Sequence, residues 1–531
     1  MTELRRELVP ARGSVRLAEV IAALSLATDL AMGQPMAFAL RSCVASVRLG
    51  EALGYGDAQL SEIYYQALLR YIGCNAETHV FAALFGDELA LRRDFATIDP
   101  GNLRAVLTVI ARHVRAANGG AGPLHMATGF ARGMASASGV TRDAFAGHCE
   151  VAQRLAERLG FSDAVVGALG QLYERWDGHG QPNGLKGEAI APAVRVVSLV
   201  QDALAVHDAN GADAAVAMVR QRRGAAYDPA IADAFRAHAA ALLPAFANEP
   251  SWDDVLALEP APRAVLSDAE LHRACVAMAD FADLKSPHSL GHSRDVAELA
   301  ARAAERCGLG EDDVSAIERA GLLHDIGSVA VSSGIWCKTG ALSESDTERV
   351  RMHVYFTERI LAKSPALARF GAIAAQHHKR SDGSGYHRAV RANALSPGGK
   401  ILAAADAYHA MVSQRPHRTA FAPDDAAVAL KRDARDGRFD PEAVNAVLAA
   451  AGHRVAPVAR AMVAGLTERE LAVLRLLARG EPTKQIAAAL KIAPKTADNH
   501  IQSVYAKIHV GTRAGATLFA VEHGLLADAP A

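Results

Sequence analysis

Apolar residues recur along this chain at spacings of three and four, the period of a helix with one buried face, and seldom alternate as a half-buried strand requires. Val296, Leu299, Ala300, Ala303 and Ala304 share one such face; Val194, Val197, Val200 and Leu204 do the same earlier in the chain. Gly308 and Gly327 stand where helices of this kind would stop. Toward the end, Thr467 with Glu470 three residues later predicts a capping box opening a helix whose buried side is Leu471, Val473, Leu474, Leu476 and Leu477. The turn Gly480-Glu481-Pro482-Thr483 supplies Thr483 as a further cap, and a short helix over 484–490 turns Ile486, Ala487 and Leu490 inward. After Ala493-Pro494, with the proline suited to a first turn, a longer helix spans 495–508 and a last one 513–524. Two helices joined by so short a turn make a helix-turn-helix, and the fold class read from the pattern is all-α.

A repeat organises the remainder. Gly54-Tyr55 followed by Leu68-Leu69-Arg70-Tyr71-Ile72-Gly73 returns at a constant offset as Gly308-Leu309 followed by Leu322-Leu323-His324-Asp325-Ile326-Gly327. A second block, from His148 through Asp177-Gly178-His179-Gly180 to Arg195, returns at another constant offset as His353, Asp382-Gly383-Ser384-Gly385 and Lys400. Between the blocks the first copy carries an insertion, roughly residues 79–141, that includes the loop Asn118-Gly119-Gly120-Ala121-Gly122-Pro123. The reading is two related helical domains over 1–250 and 265–450, joined by a linker at Glu259-Pro260-Ala261-Pro262. A third domain over 460–531 begins after Ala456-Pro457.

Composition narrows the class. At 531 residues the chain is too long for one core, and with half its residues hydrophobic but only 5% aromatic it lacks the material of β-structure. Lys and Arg number 57 against 58 Asp and Glu, so no global field announces nucleic acid, and any DNA contact must be local. Cys43, Cys74, Cys149, Cys275, Cys307 and Cys337 show no C-x-x-C spacing and read as small buried hydrophobes in a reducing compartment. The apolar stretch over 17–40 is interrupted by Glu19, Asp29 and Gln34, which argues against a membrane span. Glu3, Arg5, Arg6 and Glu7 leave no signal-peptide core. The expectation is a cytoplasmic protein with no membrane partner.

The second copy gathers His288, His292, His324, Asp325, His353, His377, His378 and Asp406. Imidazoles and carboxylates projecting inward from separate helices are how bundle cores hold metals. His288 and His292 are four apart and would share a helical face. His324 and Asp325, at a helix end, could both reach a bridging ion, and two divalent ions there could polarise a phosphoryl oxygen and acidify water. The chemistry implied is phosphoester hydrolysis. In order and spacing, His324-Asp325-Ile326-Gly327, then His377-His378-Lys379-Arg380-Ser381-Asp382-Gly383-Ser384-Gly385-Tyr386, then Ala405-Asp406, resemble the HD-GYP family over most of 265–450.

That resemblance implies a helical bundle with two divalent ions per chain, iron or manganese ahead of magnesium or zinc, acting on a cyclic dinucleotide such as cyclic di-GMP. It places His292, His324, Asp325, His353, His377, His378 and Asp406 at ligand positions, with His288 where many members carry Glu, and makes His324 and Asp325 the catalytic pair. Arg415-Pro416-His417-Arg418 resembles the family's R-P-Y-R, so Arg415 and Arg418, with Arg380 and Tyr386, are the candidate substrate-binding residues. Ser328 replaces the Lys expected after His-Asp-Ile-Gly, Lys379 replaces a Glu, and His387 replaces the Pro after Tyr386. The first and third of these changes touch substrate handling more than metal binding.

The first copy has Phe38, Arg70, Tyr71, Leu172, Tyr173 and Gln201 where the second has His292, His324, Asp325, His377, His378 and Asp406; His148 alone survives, opposite His353. It reads as a degenerate HD-GYP-like domain, fold kept and site discarded, with a structural, dimerising or ligand-sensing role. Trp176, between Arg175 and Asp177, could stack a purine-like ligand or simply belong to the core.

The terminal pattern, Leu466-Thr467 with Arg469-Glu470, Ile486-Ala487, Thr496, Asn499-His500, Lys507 and Thr512-Arg513, resembles the LuxR-type DNA-binding domain of four helices. The resemblance implies a third helix in the major groove of double-stranded DNA, presenting Lys495, Thr496, Asp498, Asn499, Gln502 and Ser503, with Lys484, His500 and Lys507 on phosphates. Leu518, Phe519 and Val521 on the last helix are the candidate contacts of a homodimer. The leading reading is a signal-responsive transcription regulator that senses or hydrolyses a cyclic dinucleotide. Its rivals are a metal-dependent phosphodiesterase that the helix-turn-helix only localises, and a scaffold without ligand.

Overall fold

The computed structural model describes residues 15–99, 101–117, 143–388, 390–455, 463–523 and 525. The loop Asn118 to Pro123, the junction Ala456-Pro457, the charged N-terminal residues Glu3 to Glu7 and Gly524 lie outside the described residues. The helical period of the sequence is realised almost everywhere, and the described strands are one antiparallel pair, Val15–Arg16 with Val265–Leu266, in register Val15↔Leu266 and Arg16↔Val265. No helix among the described residues is long and apolar enough to cross a membrane.

Most buried apolar side chains from Leu17 to Ala450 form one continuous cluster that runs through both copies of the repeat, while those from Leu466 to Leu525 form another. The join between the copies is visible in the helix Leu17–Ala31, buried on nearly every side, which packs on the 3-10 segment Ile326–Ala330 and on the helix Glu344–Ala362 of the second copy. A helix apolar all round has no solvent face to offer, so it must lie inside. The linker region is pinned as well: Glu259 is buried, accepts a hydrogen bond from the Tyr65 hydroxyl at 2.6 Å and pairs with Arg16.

The repeat shows in the backbone through two glycines. A Cβ on Gly327 would come within 2.1 Å of the His353 carbonyl oxygen, and a Cβ on Gly73 within 1.9 Å of the His148 carbonyl oxygen, the equivalent contact in the first copy. Gly327 is therefore required by close backbone approach inside a 3-10 turn, not as the helix stop expected of it. Gly308, with φ +72°, does follow a helix end, at Arg306.

The insertion touches the second copy through Glu88, the first residue of the helix Glu88–Phe95. Its carboxylate is fully buried, accepting from Lys285 Nζ and the Ser333 amide, both at 2.9 Å, and from Ser332 Oγ at 2.6 Å. Burial alone would raise its pKa, but Lys285 and the serines outweigh it and hold the carboxyl below its ordinary value. A buried ion pair is tolerated when every donor and acceptor is met in this way. Ser332 and Ser333 directly follow the segment that carries His324 and Asp325, so the insertion fixes the exit of that segment.

Candidate metal centre and nucleic-acid face

Five elements converge in the second copy. His292 opens the helix His292–Arg306, and His324 ends Glu311–Leu323, with Asp325 next. His353 sits within Glu344–Ala362, His377 and His378 follow Pro365–Ala374, and Asp406 lies on Pro397–Val412. Their ligand atoms form three overlapping groups: His353, His377 and His378; His292, His324 and Asp406; His324, Asp325 and His377, each within 4.8 Å. Among the described residues no such group draws on the first copy.

Asp325 ties the groups together. Its Oδ1 lies 3.4 Å from His353 Nε2 and 3.6 Å from His377 Nε2, while Oδ2 lies 3.6 Å from His324 Nε2 and 3.9 Å from His292 Nε2. Asp406 faces His292 Nε2 at 3.3 Å, His378 Nδ1 at 3.9 Å and His324 Nε2 at 4.0 Å. Burial works against both carboxylates, but the surrounding imidazoles outweigh it and hold each well below the ordinary carboxyl range. Burial, reinforced by His324, pushes His377 down to about 3, and burial with His377 pushes His378 well below its usual value. Neutral His377 and His378 beside ionised carboxylates suit metal ligation, whereas at His292 burial opposes the charge but Asp406 and Asp325 outweigh it and raise the pKa.

The fit to cations rests on the tautomers. The Nδ1 atoms of His324, His353 and His377 each meet a carbonyl three residues back in their own chain, of Gly321 at 2.6 Å, of Val350, and of Ala374 at 2.7 Å. A carbonyl only accepts, so Nδ1 carries the proton, and in the neutral ring Nε2 is left as a lone pair. The Nε2 atoms of His353 and His377 then confront each other at 3.0 Å, and His324 Nε2 is buried with no hydrogen-bond partner. Converging lone pairs in a closed space repel unless a cation stands among them.

The remaining expectations divide. His288 belongs to the turn before the helix that begins at His292, joins none of the three groups, and so does not share a helical face with His292 as its spacing suggested. Tyr386 packs its ring 4.7 Å from that of His378, and Arg380 lies over Phe439 while donating to the carbonyls of His377 and Lys379. Arg415 is half-buried and its charge reaches His292. Arg418 donates to the carbonyls of Ala410, Met411 and Thr419, capping a helix end, so the expected phosphate contact is corrected to a structural one. Ser328 is buried, the Lys379 ammonium donates to the Arg388 carbonyl, and His387 meets Glu358 at 2.9 Å. Sequence reasoning missed His409, one helical turn beyond Asp406, whose Nδ1 lies 2.8 Å from His292 Nδ1. Its spacing from Asp406 was the available signal.

In the first copy the equivalent cage is filled. Phe38, Leu172 and Gln201 are buried, and Arg70 puts a buried guanidinium at the place of His324. His148 spends both ring nitrogens, on the Tyr173 hydroxyl at 3.2 Å and the Ala76 carbonyl at 3.1 Å. Trp176 is half-buried with Arg195 over its ring.

The terminal helices are Glu468–Ala478, Thr483–Ala489, Pro494–Lys507 and Arg513–Glu522. Thr467 and Glu470 make the capping box expected, but Thr483 begins its helix without acting as its cap; Pro482 takes that place, with no side-chain bond. Lys484, Lys495, Thr496, Asn499 and Gln502 are exposed, whereas Asp498 and His500 are half-buried. Ser503 and Lys507 turn inward: Ser503 Oγ and Lys507 Nζ each donate to Glu470 at 2.6 Å, which corrects their expected place on DNA. Leu518 and Val521 are exposed apolar residues on the last helix.

Comparisons with known proteins agree with this geometry. The HD domain family matches residues 136–231 and 277–443, and the luxR family of bacterial regulatory proteins matches 464–520. The chain is 28% identical over 438 residues to the 3'3'-cGAMP-specific phosphodiesterase 3 of Vibrio cholerae, covering 81% of this chain and 94% of that protein. It is 39% identical over 129 residues to a cyclic di-GMP phosphodiesterase of Thermotoga maritima, 24% of this chain and 35% of that one. With RpfG, a cyclic di-GMP phosphodiesterase response regulator of Xanthomonas campestris, it shares 36% over 155 residues, 29% of this chain and 41% of that one. A crystal structure of a cyclic GMP-AMP specific phosphodiesterase of V. cholerae superposes with a TM-score of 0.57 at 26% identity, covering 83% of this chain and 99% of that one. The chain thus belongs to the HD-domain proteins of the HD-GYP type and carries a luxR-family helix-turn-helix behind its second HD copy.

Proposed function

We propose that the second HD copy is a metal-dependent phosphodiesterase centre for a cyclic dinucleotide, housed in a cytoplasmic, signal-responsive regulator that binds double-stranded DNA as a homodimer. The observation that carries the catalytic part is the 3.0 Å approach of His353 Nε2 to His377 Nε2, with both Nδ1 protons committed to carbonyls. His292, His324, Asp325, His353, His377, His378 and Asp406 would hold two divalent ions, Asp325 facing His353 and His377 with one oxygen and His324 and His292 with the other. When bound, such ions supply Lewis-acid stabilisation of a phosphoryl oxygen and acidify water. The chain's own contribution is to fix His324, His353 and His377 in the ligating tautomer and to keep both carboxylates ionised. Tyr386 packs on His378, and the charges of Arg380 and Arg415 reach His378 and His292.

The decisive test is metal content of the purified full-length chain, followed by chromatography of products from cyclic di-GMP and 3'3'-cGAMP. Two ions per chain and linear dinucleotide products, lost together in His324→Ala with Asp325→Ala, are expected. Fewer than one ion per chain would end the phosphodiesterase reading.

A second reading, sensing without turnover, is favoured by Ser328. That position holds a buried hydroxyl with no cation to neutralise a substrate phosphate, and Arg418 is committed to a helix end. Tight dinucleotide binding without products would select it. For the DNA arm, the exposed row Lys495, Asn499 and Gln502 with Thr496 supports groove contact, and exposed Leu518 and Val521 support pairing of two chains.

A further inference from the structure

His292 differs from His324, His353 and His377 in how its Nδ1 is held. His324, His353 and His377 each place Nδ1 against a carbonyl of their own chain segment, which fixes their tautomers. His292 opens its helix, and the carbonyl three residues back, that of Ser289, accepts from the His292 backbone amide at 2.9 Å and not from its ring. Its Nδ1 instead lies 2.8 Å from His409 Nδ1, and the far nitrogen of His409, Nε2, lies 3.2 Å from Asp295 Oδ2. Asp295 stands one turn along the helix that His292 begins. Ser413 Oγ, 3.4 Å from His409 Nδ1, donates its proton to the His409 carbonyl at 2.7 Å and so does not protonate that nitrogen.

Between two imidazole nitrogens only one can carry the hydrogen. If His292 Nε2, which faces Asp406 and Asp325, gives its lone pair to a cation, the proton of His292 must sit on Nδ1 and be donated to His409 Nδ1. His409 must then carry its own proton on Nε2, where the Asp295 carboxylate accepts it. We infer that His409 and Asp295 form an outer relay that takes the place of such a carbonyl and holds His292 in the ligating tautomer. His409 is a positioning residue in this scheme: it acts through His292 and touches neither cation nor substrate. The inference rests on the metal reading of the cluster.

The experiment measures Mn²⁺ affinity of the full-length chain by chelator competition, beside metal content after dialysis. Groups in this outer position typically contribute about 10–100-fold in metal affinity. His409→Leu removes the acceptor and is expected to weaken Mn²⁺ binding at least about 10-fold. His409→Asn sets an amide oxygen where Nδ1 stands, one bond from Cγ, and is expected to remain near wild type. Asp295→Asn is expected to weaken binding only a few-fold, about what a solvent-screened partner contributes, because the Asp295 side chain is 63% exposed. In the His409→Asn background, whose amide oxygen needs no second partner, Asp295→Asn should have no further effect. Should His409→Leu not fold, the Asn variants alone decide the question.

The relay is overturned if His409→Leu binds Mn²⁺ like wild type, if His409→Asn loses as much as His409→Leu, or if Asp295→Asn weakens both backgrounds equally. In each of those cases a wild-type chain that holds the metal leaves the metal reading intact. A wild-type chain that retains no Mn²⁺ overturns both.

Discussion

Asp325 turns one carboxylate oxygen to His353 Nε2, 3.4 Å away, and leaves the other to a different pair of imidazoles, those of His324 and His292. A single side chain therefore spans two groups of ligand atoms, and its loss should be felt by both. We predict that Mn²⁺ at a hundredfold excess over its dissociation constant stabilises the wild-type chain by about 2.7 kcal/mol. Asp325→Ala should abolish the rise in melting temperature. An unchanged metal-induced shift in that variant would show that the cation binds elsewhere.

The buried pair of Glu88 and Lys285 yields a prediction about stability. Glu88→Ala strands an ammonium and two serine donors in the interior and should cost about 3–5 kcal/mol. Replacing both partners with apolar residues of similar size should restore much of that loss. Thermal melts of the single and double variants measure the difference, and a single variant as stable as wild type refutes the assignment.

Glu470 makes the stability of the terminal helices depend on acid. Burial opposes its charge, but Lys507, Ser503 and Thr467 prevail and hold its pKa at about 2. A carboxyl whose folded pKa is depressed contributes stability that is complete above the unfolded value of about 4.3. That contribution drains away as pH falls toward 2. Protection of the amides over 468–478 relative to their intrinsic exchange should fall in this window, and Glu470→Gln should already be less protected at neutral pH and lose little more there.

On DNA, the exposed face of the helix Pro494–Lys507 separates two kinds of residue. Lys495→Ala should lower affinity uniformly across sequences and reduce the salt slope by about 1. Asn499→Ala, if the side chain reads a base edge, should forfeit about 1–3 kcal/mol of discrimination. Lys507→Ala should weaken binding only in proportion to the stability it removes, since its ammonium is held by Glu470. Fluorescence titrations at several salt concentrations distinguish the three.

Much of this was legible in the chain. The spacing of apolar residues announced the helices, and a constant offset announced the repeat, because both follow from local geometry. The convergence of His292, His324, Asp325, His353, His377, His378 and Asp406 followed from a resemblance; nothing in the residues alone fixes which helices face one another. His288 shows the limit of periodicity: spacing of four places two residues on one face only if the helix has already begun, and it begins at His292. Arg418, Ser503 and Lys507 carry charges or hydroxyls that suit phosphate, yet each found a nearer acceptor, a helix-end carbonyl or Glu470. Which of two acceptors a long side chain chooses is a matter of tertiary distance, on which sequence is silent. His409 went unnoticed because its place one turn beyond Asp406 gains meaning only once its partner, His292, is known.

The helix Leu17–Ala31 enters the interior from the copy that has no ligand set, yet it rests on the segment that follows Asp325. Cutting away the N-terminal half to obtain a minimal catalytic fragment would thus expose the floor beneath Ile326 and Val329. The first copy is in effect the foundation of its neighbour, and the two halves should melt in one transition.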